Sequence, residues 1–241
     1  MNILLVIEYD GTNYSGWQKI PGKSTIEGVL ETKLSRILNE NINITGASRT
    51  DAGVHALGQA ANFKTDKTAD PQKLKKSLNR MLPKDIAIKK AENVPEKFNA
   101  RHSAKSKTYR YFICNSKNPQ VFKRNYSLHF REKLNLTAMR KAAKYIVGTH
   151  DFKCFSAQEE RTKTRRTIKE IKIAKSGKYI HIDFTGNSFL RRMVRVLAGF
   201  LLNIGAGKIQ PLDVKRAFSG KFKFSPLAAP AQGLFLIKVN Y

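Results

Sequence analysis

The spacing of apolar residues predicts six elements in the first hundred positions. Apolar residues at every second position from Ile3 to Ile7 predict a strand. An apolar stripe predicts a helix over 24–39, and Ser24 and Glu27 fit a capping box at its start. Asp70, followed by proline, predicts the start of a second helix. The other predicted elements are strands over 42–47, 55–63 and 86–94.

The order of strand, helix and strands recurs after position 104. A strand is predicted over 108–114 and a helix over 136–147. A hairpin is predicted to turn at Ser176-Gly177, and Ser188 is predicted to cap a helix that runs to about Asn203. The last predicted elements are a short helix over 211–218 and a strand over 234–241.

Mixed helices and hairpins of this kind indicate an α+β fold. We predict two similar halves, residues 1–104 and 105–241, each with one sheet and helices on one face. The polar stretch from Ser156 to Thr167 has no apolar period and is predicted to be a loop.

The charge balance points to a polyanionic partner. The chain has 45 Lys and Arg against 18 Asp and Glu, a formal net charge of +27. Nucleic acid is the first candidate, and an anionic membrane surface is the second. The membrane alternative lacks a basic amphipathic helix with an exposed apolar face, and no apolar run is long enough to span a bilayer.

The residue inventory argues against several other classes. Cys114 and Cys154 lie far apart and form no CxxC, and the five histidines have no ligand spacing. We therefore expect no disulfide scaffold, no metal and a reducing cytoplasm as the location. A Gly-rich phosphate loop is missing, so nucleotide hydrolysis is not indicated.

The densest polar signal surrounds Asp51. Glycines and small residues bracket it, so a ligand could approach the backbone closely. Beside Arg49, an ionised Asp51 suits a nucleophile or a stabiliser of a cationic sugar. The competing interpretation is a turn in which Asp51 caps backbone amides.

Three further segments carry candidate binding residues. Tyr109 and Tyr111 share one face of a strand beside cations, which suits either base stacking or core packing. Arg195, close to the apolar stripe of its predicted helix, would need a carboxylate partner if buried. Arg191 is predicted to share that helix face, with a solvated basic face as the alternative.

Two loops complete the set of candidates. The loop after the first strand, which ends with Trp17 and Gln18, suits either binding or structural packing of the tryptophan. The 156–167 stretch places four cations within six residues, which suits RNA backbone contacts. These four are Arg161, Lys163, Arg165 and Arg166.

Taken together, these segments resemble the bacterial tRNA pseudouridine synthase A family, in order over nearly the full chain. The most specific motif is Arg-Thr-Asp-Ala-Gly-Val-His over 49–55. The other motifs are Tyr9-Asp10-Gly11-Thr12, Gly16-Trp17-Gln18, Phe98-Asn99-Ala100-Arg101, Tyr109-Arg110-Tyr111, Gly148-Thr149-His150-Asp151-Phe152, Phe189-Leu190-Arg191-Arg192-Met193-Val194-Arg195 and Ala229-Pro230-Ala231-Gln232-Gly233-Leu234.

The resemblance implies two α+β halves whose sheets join into one, with the catalytic cleft between them. It also implies a homodimer without metal or organic cofactor that converts uridine to pseudouridine at tRNA positions 38, 39 and 40. Asp51 matches the family's nucleophile, and Arg49 matches the side chain that takes the place of the flipped nucleotide. Tyr109 matches the base-stacking tyrosine, Arg195 the partner of the nucleophile, and Leu234 an apolar residue of the base pocket.

Two other functions compete with this one. A noncatalytic RNA-binding or ribosome-associated protein would explain the charge and the aromatic residues but would give the Asp51 loop no purpose. A base-excising hydrolase would release free uracil, whereas an isomerase would not. His102 stands where many members of the family have an aromatic residue, so its role is open.

Overall fold

The computed structural model describes residues 1–157, 163–222 and 227–241, which form two compact units. The first unit comprises Met1–Lys105 and Phe235–Tyr241, and the second comprises Ser106–Leu234. The predicted boundary is at 104/105, and the contact-based units meet at 105/106 and also include residues 235–241 in the first unit. These residues pair with a strand of the first unit, Phe235 opposite His55 and Leu236 opposite Ala56.

The first unit is a mixed sheet with two helices. Its strands are β1 (Asn2–Tyr9), β2 (Ile44–Gly46), β3 (His55–Lys64), β4 (Ile86–Val94) and β10 (Leu234–Asn240), and its helices are α1 (Ile26–Leu38) and α2 (Pro71–Met81). The order is β4-β1-β3-β10, with β2 also on β3. All pairs are antiparallel except the parallel pair of β3 and β10.

The alternation predicted for β1 is confirmed. Ile3, Leu5 and Ile7 are fully buried, and Leu34 of α1 and Leu78 of α2 are buried equally well. Burial of such side chains is worth roughly 1.5–3 kcal/mol each and holds the helices to the sheet.

The start of α1 differs from the prediction. Thr25, not Ser24, is the cap, and its hydroxyl accepts from the Gly28 amide. Glu27 therefore sits in the first turn, where its carboxylate accepts from the Trp17 indole and from the Lys19 amide. The predicted capping box is wrong, because the Glu27 carboxylate binds the loop before the helix and not the backbone amide of Ser24.

Two buried asparagines organise the second face of this sheet. The Asn62 side chain donates to Asn2 Oδ1 at 2.9 Å and accepts from the Ala100 amide at 2.8 Å. Asn2 donates to the carbonyls of Pro95 and Phe98. The chain that follows β4 is thereby fixed to the face of the sheet.

The described residues of the second unit form a mostly antiparallel sheet with three helices. Its strands are β5 (Ser106–Asn115), β6 (Leu128–Phe130), β7 (Gly148–Asp151), β8 (Arg165–Ser176) and β9 (Tyr179–Gly186), and its helices are α3 (Leu136–Ile146), α4 (Met193–Gly205) and α5 (Asp213–Phe218). The order is β5-β9-β8-β7, and β6 pairs with β5 in parallel. The described residues thus form an α+β fold of ten mostly antiparallel strands, as predicted.

Two predicted boundaries in this unit are wrong. Strand β8 begins at Arg165, opposite Asp151, so residues 165–167 of the predicted 156–167 loop belong to a strand. Helix α4 begins at Met193, because Arg192 adopts a left-handed φ of 59°, which a helix continuing from Ser188 could not contain. Arg191 therefore precedes the helix and does not share a helical face with Arg195.

We expect Asn62→Ala to lower the free energy of unfolding by about 2–4 kcal/mol, because it leaves the buried Ala100 amide and Asn2 oxygen without this partner. Urea unfolding followed by circular dichroism measures the change. Asn93→Ala, on the exposed side of β4, is the matched control and should stay within about 0.5 kcal/mol of the wild type. Equal stabilities of the two variants would contradict the role of Asn62.

Candidate active site

Asp51 lies at the centre of a short loop, Ser48–Val54, between β2 and β3. Its side chain is half-buried, and Arg49 is exposed. Thr50 between them is only 8% exposed. The loop therefore turns its two charged residues outward and its hydroxyl inward.

Hydrogen bonds fix the part of this loop that leads into Asp51. The fully buried Gln59 of β3 accepts from the Ser48 amide and donates to the Ser48 carbonyl at 2.7 Å. The Thr50 hydroxyl bonds to the Tyr9 hydroxyl at 2.8 Å, and the Thr50 carbonyl accepts from the Trp17 amide at 3.0 Å. Such anchoring holds the backbone directly before Asp51 in place.

The loop that follows β1, residues 10–25, packs against the Ser48–Val54 loop. Gly16 has a φ of +99°, and a Cβ there would lie 2.7 Å from the Thr50 carbonyl oxygen. Gly11 also approaches too closely for a side chain, against the Val54 carbonyl. Trp17 is 1% exposed, so the structural interpretation of this loop holds for the tryptophan, whereas Gln18 is exposed.

Sequence reasoning missed the residues that support this loop. His55, 1% exposed, accepts from the Gly11 amide through Nδ1 at 3.0 Å and stacks on Phe235 at 4.5 Å. Tyr9 supports the loop by its hydrogen bond to Thr50, and Gln59 by its hydrogen bonds to Ser48. The polar character of these side chains in otherwise apolar strands was the available signal.

In the second unit, both predicted tyrosines of β5 are buried. Tyr111 is fully buried, donates to the Pro230 carbonyl at 2.8 Å and packs against Gly233, and burial raises the pKa of its hydroxyl far above the usual range. Tyr109 is 5% exposed and meets the edge of Phe189 at 5.2 Å. Tyr111 is therefore the core residue of the pair, and stacking of Tyr109 on a base stays a prediction.

Arg195 lies in the first turn of α4 and is half-buried. Its Nε donates to the Ala229 carbonyl at 2.8 Å, and its own carbonyl accepts from the Ala229 amide. Leu234, 5% exposed, ends the same segment. The stretch 229–234 thus contacts both Arg195 and Tyr111, which brings these positions of the predicted site together.

The cations of the 156–167 stretch are of two kinds. Lys163 and Arg165 are exposed. Arg166 donates through one terminal nitrogen to the carbonyls of Lys163 and Arg165, and burial lowers its pKa. Because the Arg166 guanidinium is bound to the backbone of its own segment, Arg166 is a weaker candidate for direct RNA contact than Lys163 and Arg165. Arg161 lies outside the described residues.

Two other kinds of functional element are absent from the described ranges. No helix there is long and apolar enough to cross a membrane. In the same residues, no group of three or more His, Cys, Asp and Glu side chains could hold a metal ion.

Comparisons with known proteins agree on one family. A family profile described as tRNA pseudouridine synthase matches residues 5–103 and 142–241. A tRNA pseudouridine synthase A of Thermoanaerobacter sp. (strain X514) is 43% identical over 100% of this chain and 99% of its own length. The protein of the same name from Acetivibrio thermocellus is 42% identical over the same shares. Among solved structures, a chain of a Cbf5-Nop10-Gar1 complex matches with a TM-score of 0.34 and 10% identity, over 83% of this chain and 54% of that one, which is too distant to carry an argument.

The two cysteines should be unreactive in the folded protein. Burial raises the pKa of the Cys154 thiol to about 11, and Cys114 is 1% exposed. At pH 8 we expect iodoacetamide to alkylate Cys154 about 100-fold more slowly than an unfolded thiol, because so little thiolate is present. Mass spectrometry before and after urea unfolding measures both sites. Fast alkylation of the native protein would show that one thiol is available as a nucleophile.

Proposed function

Because the chain belongs to the tRNA pseudouridine synthase family, we propose that it isomerises uridine to pseudouridine in the anticodon arm of tRNA, at positions 38, 39 and 40. The reaction breaks the bond between N1 of uracil and C1′ of the ribose and forms a bond between C5 and C1′. The base keeps all its heavy atoms, and the C5 proton leaves as N1 is protonated. The reaction therefore needs no redox cofactor.

The observation that carries this proposal is the fixed display of Asp51. Its carboxylate either attacks C1′ directly or assists the departure of uracil through a glycal-type intermediate. Glycosidases usually use two carboxylates, one of them to protonate the leaving group. The Ser48–Val54 loop offers one, which suits a uracil that stays in the pocket and is reattached through C5. Exclusion of water then separates isomerisation from hydrolysis.

The remaining roles concern a uridine that must leave its stack, at a cost of a few kcal/mol. We assign Arg49, exposed two residues before Asp51, to the space that the flipped nucleotide vacates. Tyr109 stacks on the target base, Leu234 lines its pocket, and Arg195 balances the charge of Asp51. These roles rest on the match to the family's motifs, and the contacts within each unit support the positions of the side chains.

The excess of positive charge supports an RNA substrate. At +27 the chain can hold many phosphates at once, and each such contact releases counterions from the RNA. Lys163 and Arg165 are exposed candidates for these contacts, and Gln18 is an exposed candidate beside the Asp51 loop. A noncatalytic RNA-binding protein would share this charge but would not need a fixed carboxylate.

We expect Asp51→Asn to abolish pseudouridine formation on an unmodified tRNA transcript and to leave tRNA binding within about tenfold, roughly 1.4 kcal/mol. Affinity comes from many phosphate contacts, whereas the chemistry depends on one carboxylate. Chemical mapping of pseudouridine, with a filter-binding assay, measures both. The control is Asp66→Asn, an exposed aspartate after β3, which should keep full activity. Turnover by Asp51→Asn would refute its assignment, and free uracil would indicate a hydrolase.

We also propose that the protein works in the cytoplasm as a homodimer. A tRNA extends well beyond the face of a 27.3 kDa chain, so a two-fold dimer offers a second basic surface to the same RNA. Light scattering at about 0.15 M salt, where the Debye length is roughly 8 Å, should give twice the chain mass. A monomer that modifies tRNA at full rate would contradict this proposal.

A further inference from the structure

A tight turn follows β4 and belongs to neither the Asp51 loop nor the second unit. We call residues 98–103 the Asn99 turn. The Asn99 side chain accepts from the amides of Arg101 and His102, both at 3.0 Å. The Ser103 amide donates to the Asn99 carbonyl, and the Ser103 hydroxyl accepts from the Asn99 amide. The turn is thus closed by its own hydrogen bonds.

Buried side chains then fix the closed turn to the first unit. Asn62 accepts from the Ala100 amide, and the Tyr241 hydroxyl donates to the Ala100 carbonyl at 2.9 Å. Ala100 is fully buried in one cluster with Ala47, the residue that precedes Ser48. The Asn99 turn therefore lies against the base of the loop that carries Asp51.

The side chains that this fixed turn presents to solvent are cationic or polar. Arg101, His102 and Ser103 are all exposed. Two other cations of the same unit are paired with acids, Lys89 with Glu8 and Lys90 with Glu92. Among the described residues the structure pairs Arg101 with no carboxylate. A guanidinium on a rigid turn is preorganised to bind an anion, because binding then costs little backbone entropy.

We propose that Arg101 and His102 bind a backbone phosphate of the RNA strand next to the nucleotide held at Asp51. This inference rests on the proposed function for the identity of the anion. The Arg101 guanidinium donates to two phosphate oxygens, and the imidazole of His102 donates to the same group. The Asn99 turn then contributes to holding the RNA beside the loop that carries Asp51.

The test is the salt dependence of binding to an unmodified tRNA transcript, measured by fluorescence anisotropy. Arg101→Gln should lower the slope of log K against log salt by about 0.7 to 0.9, as expected for one lost phosphate contact. Raising the salt fourfold should then weaken the variant about threefold less than the wild type. Under turnover, Arg101→Gln should raise KM and leave kcat within about twofold.

Three further variants separate binding from folding. Arg101→Lys keeps the charge and should restore the slope, whereas a purely structural role would not be rescued. His102→Gln should raise Kd about threefold. Lys73→Gln removes an equally exposed cation from α2 and is the matched control, with an unchanged slope. Circular dichroism should show the same unfolding midpoint for all four variants.

The outcomes distinguish this inference from the proposed function. If the wild type forms pseudouridine but Arg101→Gln keeps the wild-type slope, the phosphate contact is refuted and the function stands. If the wild type forms no pseudouridine while Arg101→Gln still loses slope, the contact stands and the isomerase activity is refuted. An equal loss of slope in Lys73→Gln would refute a specific site on the Asn99 turn.

Discussion

The position of one carboxylate depends on the hydrogen bonds around Thr50. The Thr50 hydroxyl bonds to Tyr9 at the end of β1, and its carbonyl accepts from the amide of Trp17. Trp17 in turn is held by Glu27 in the first turn of α1. The end of β1 and the loop after it therefore contact Thr50 directly, and the start of α1 contacts it through Trp17. A loop held this way resists displacement, and displacement by about 1 Å would cost on the order of 10²-fold in rate.

The elements that follow simple periodicity could be predicted from the sequence. Strand β1 and the start of α2 at Asp70 are examples, because each depends on local spacing or on a cap within a few residues. The start of α4 could not be predicted, since the left-handed conformation of Arg192 directly before Met193 has no signal in the sequence. The short strand β7 was missed because its four residues, Gly-Thr-His-Asp, include no apolar side chain whose alternation could indicate a strand.

The candidate site shows the same division. The two charged residues of the proposed site, Asp51 and Arg49, could be singled out from one polar motif on a turn. The supporting contacts of Gln59 and His55 could not, because they join residues that are 11 and 44 positions apart. Contacts across such separations are set by strand register, which a single sequence does not display.

Within the block from Arg49 to His55, some residues face outward and others are buried in the first unit. Arg49 faces solvent and Asp51 is half-buried, while Thr50 and Val54 are buried against the loop after β1. Thr50→Val would keep the shape of the side chain but remove the hydroxyl bond to Tyr9, beside the proposed nucleophile Asp51. Two constraints therefore act on this motif at once: the proposed reaction uses the outward residues, and the packing of the first unit uses the inward ones.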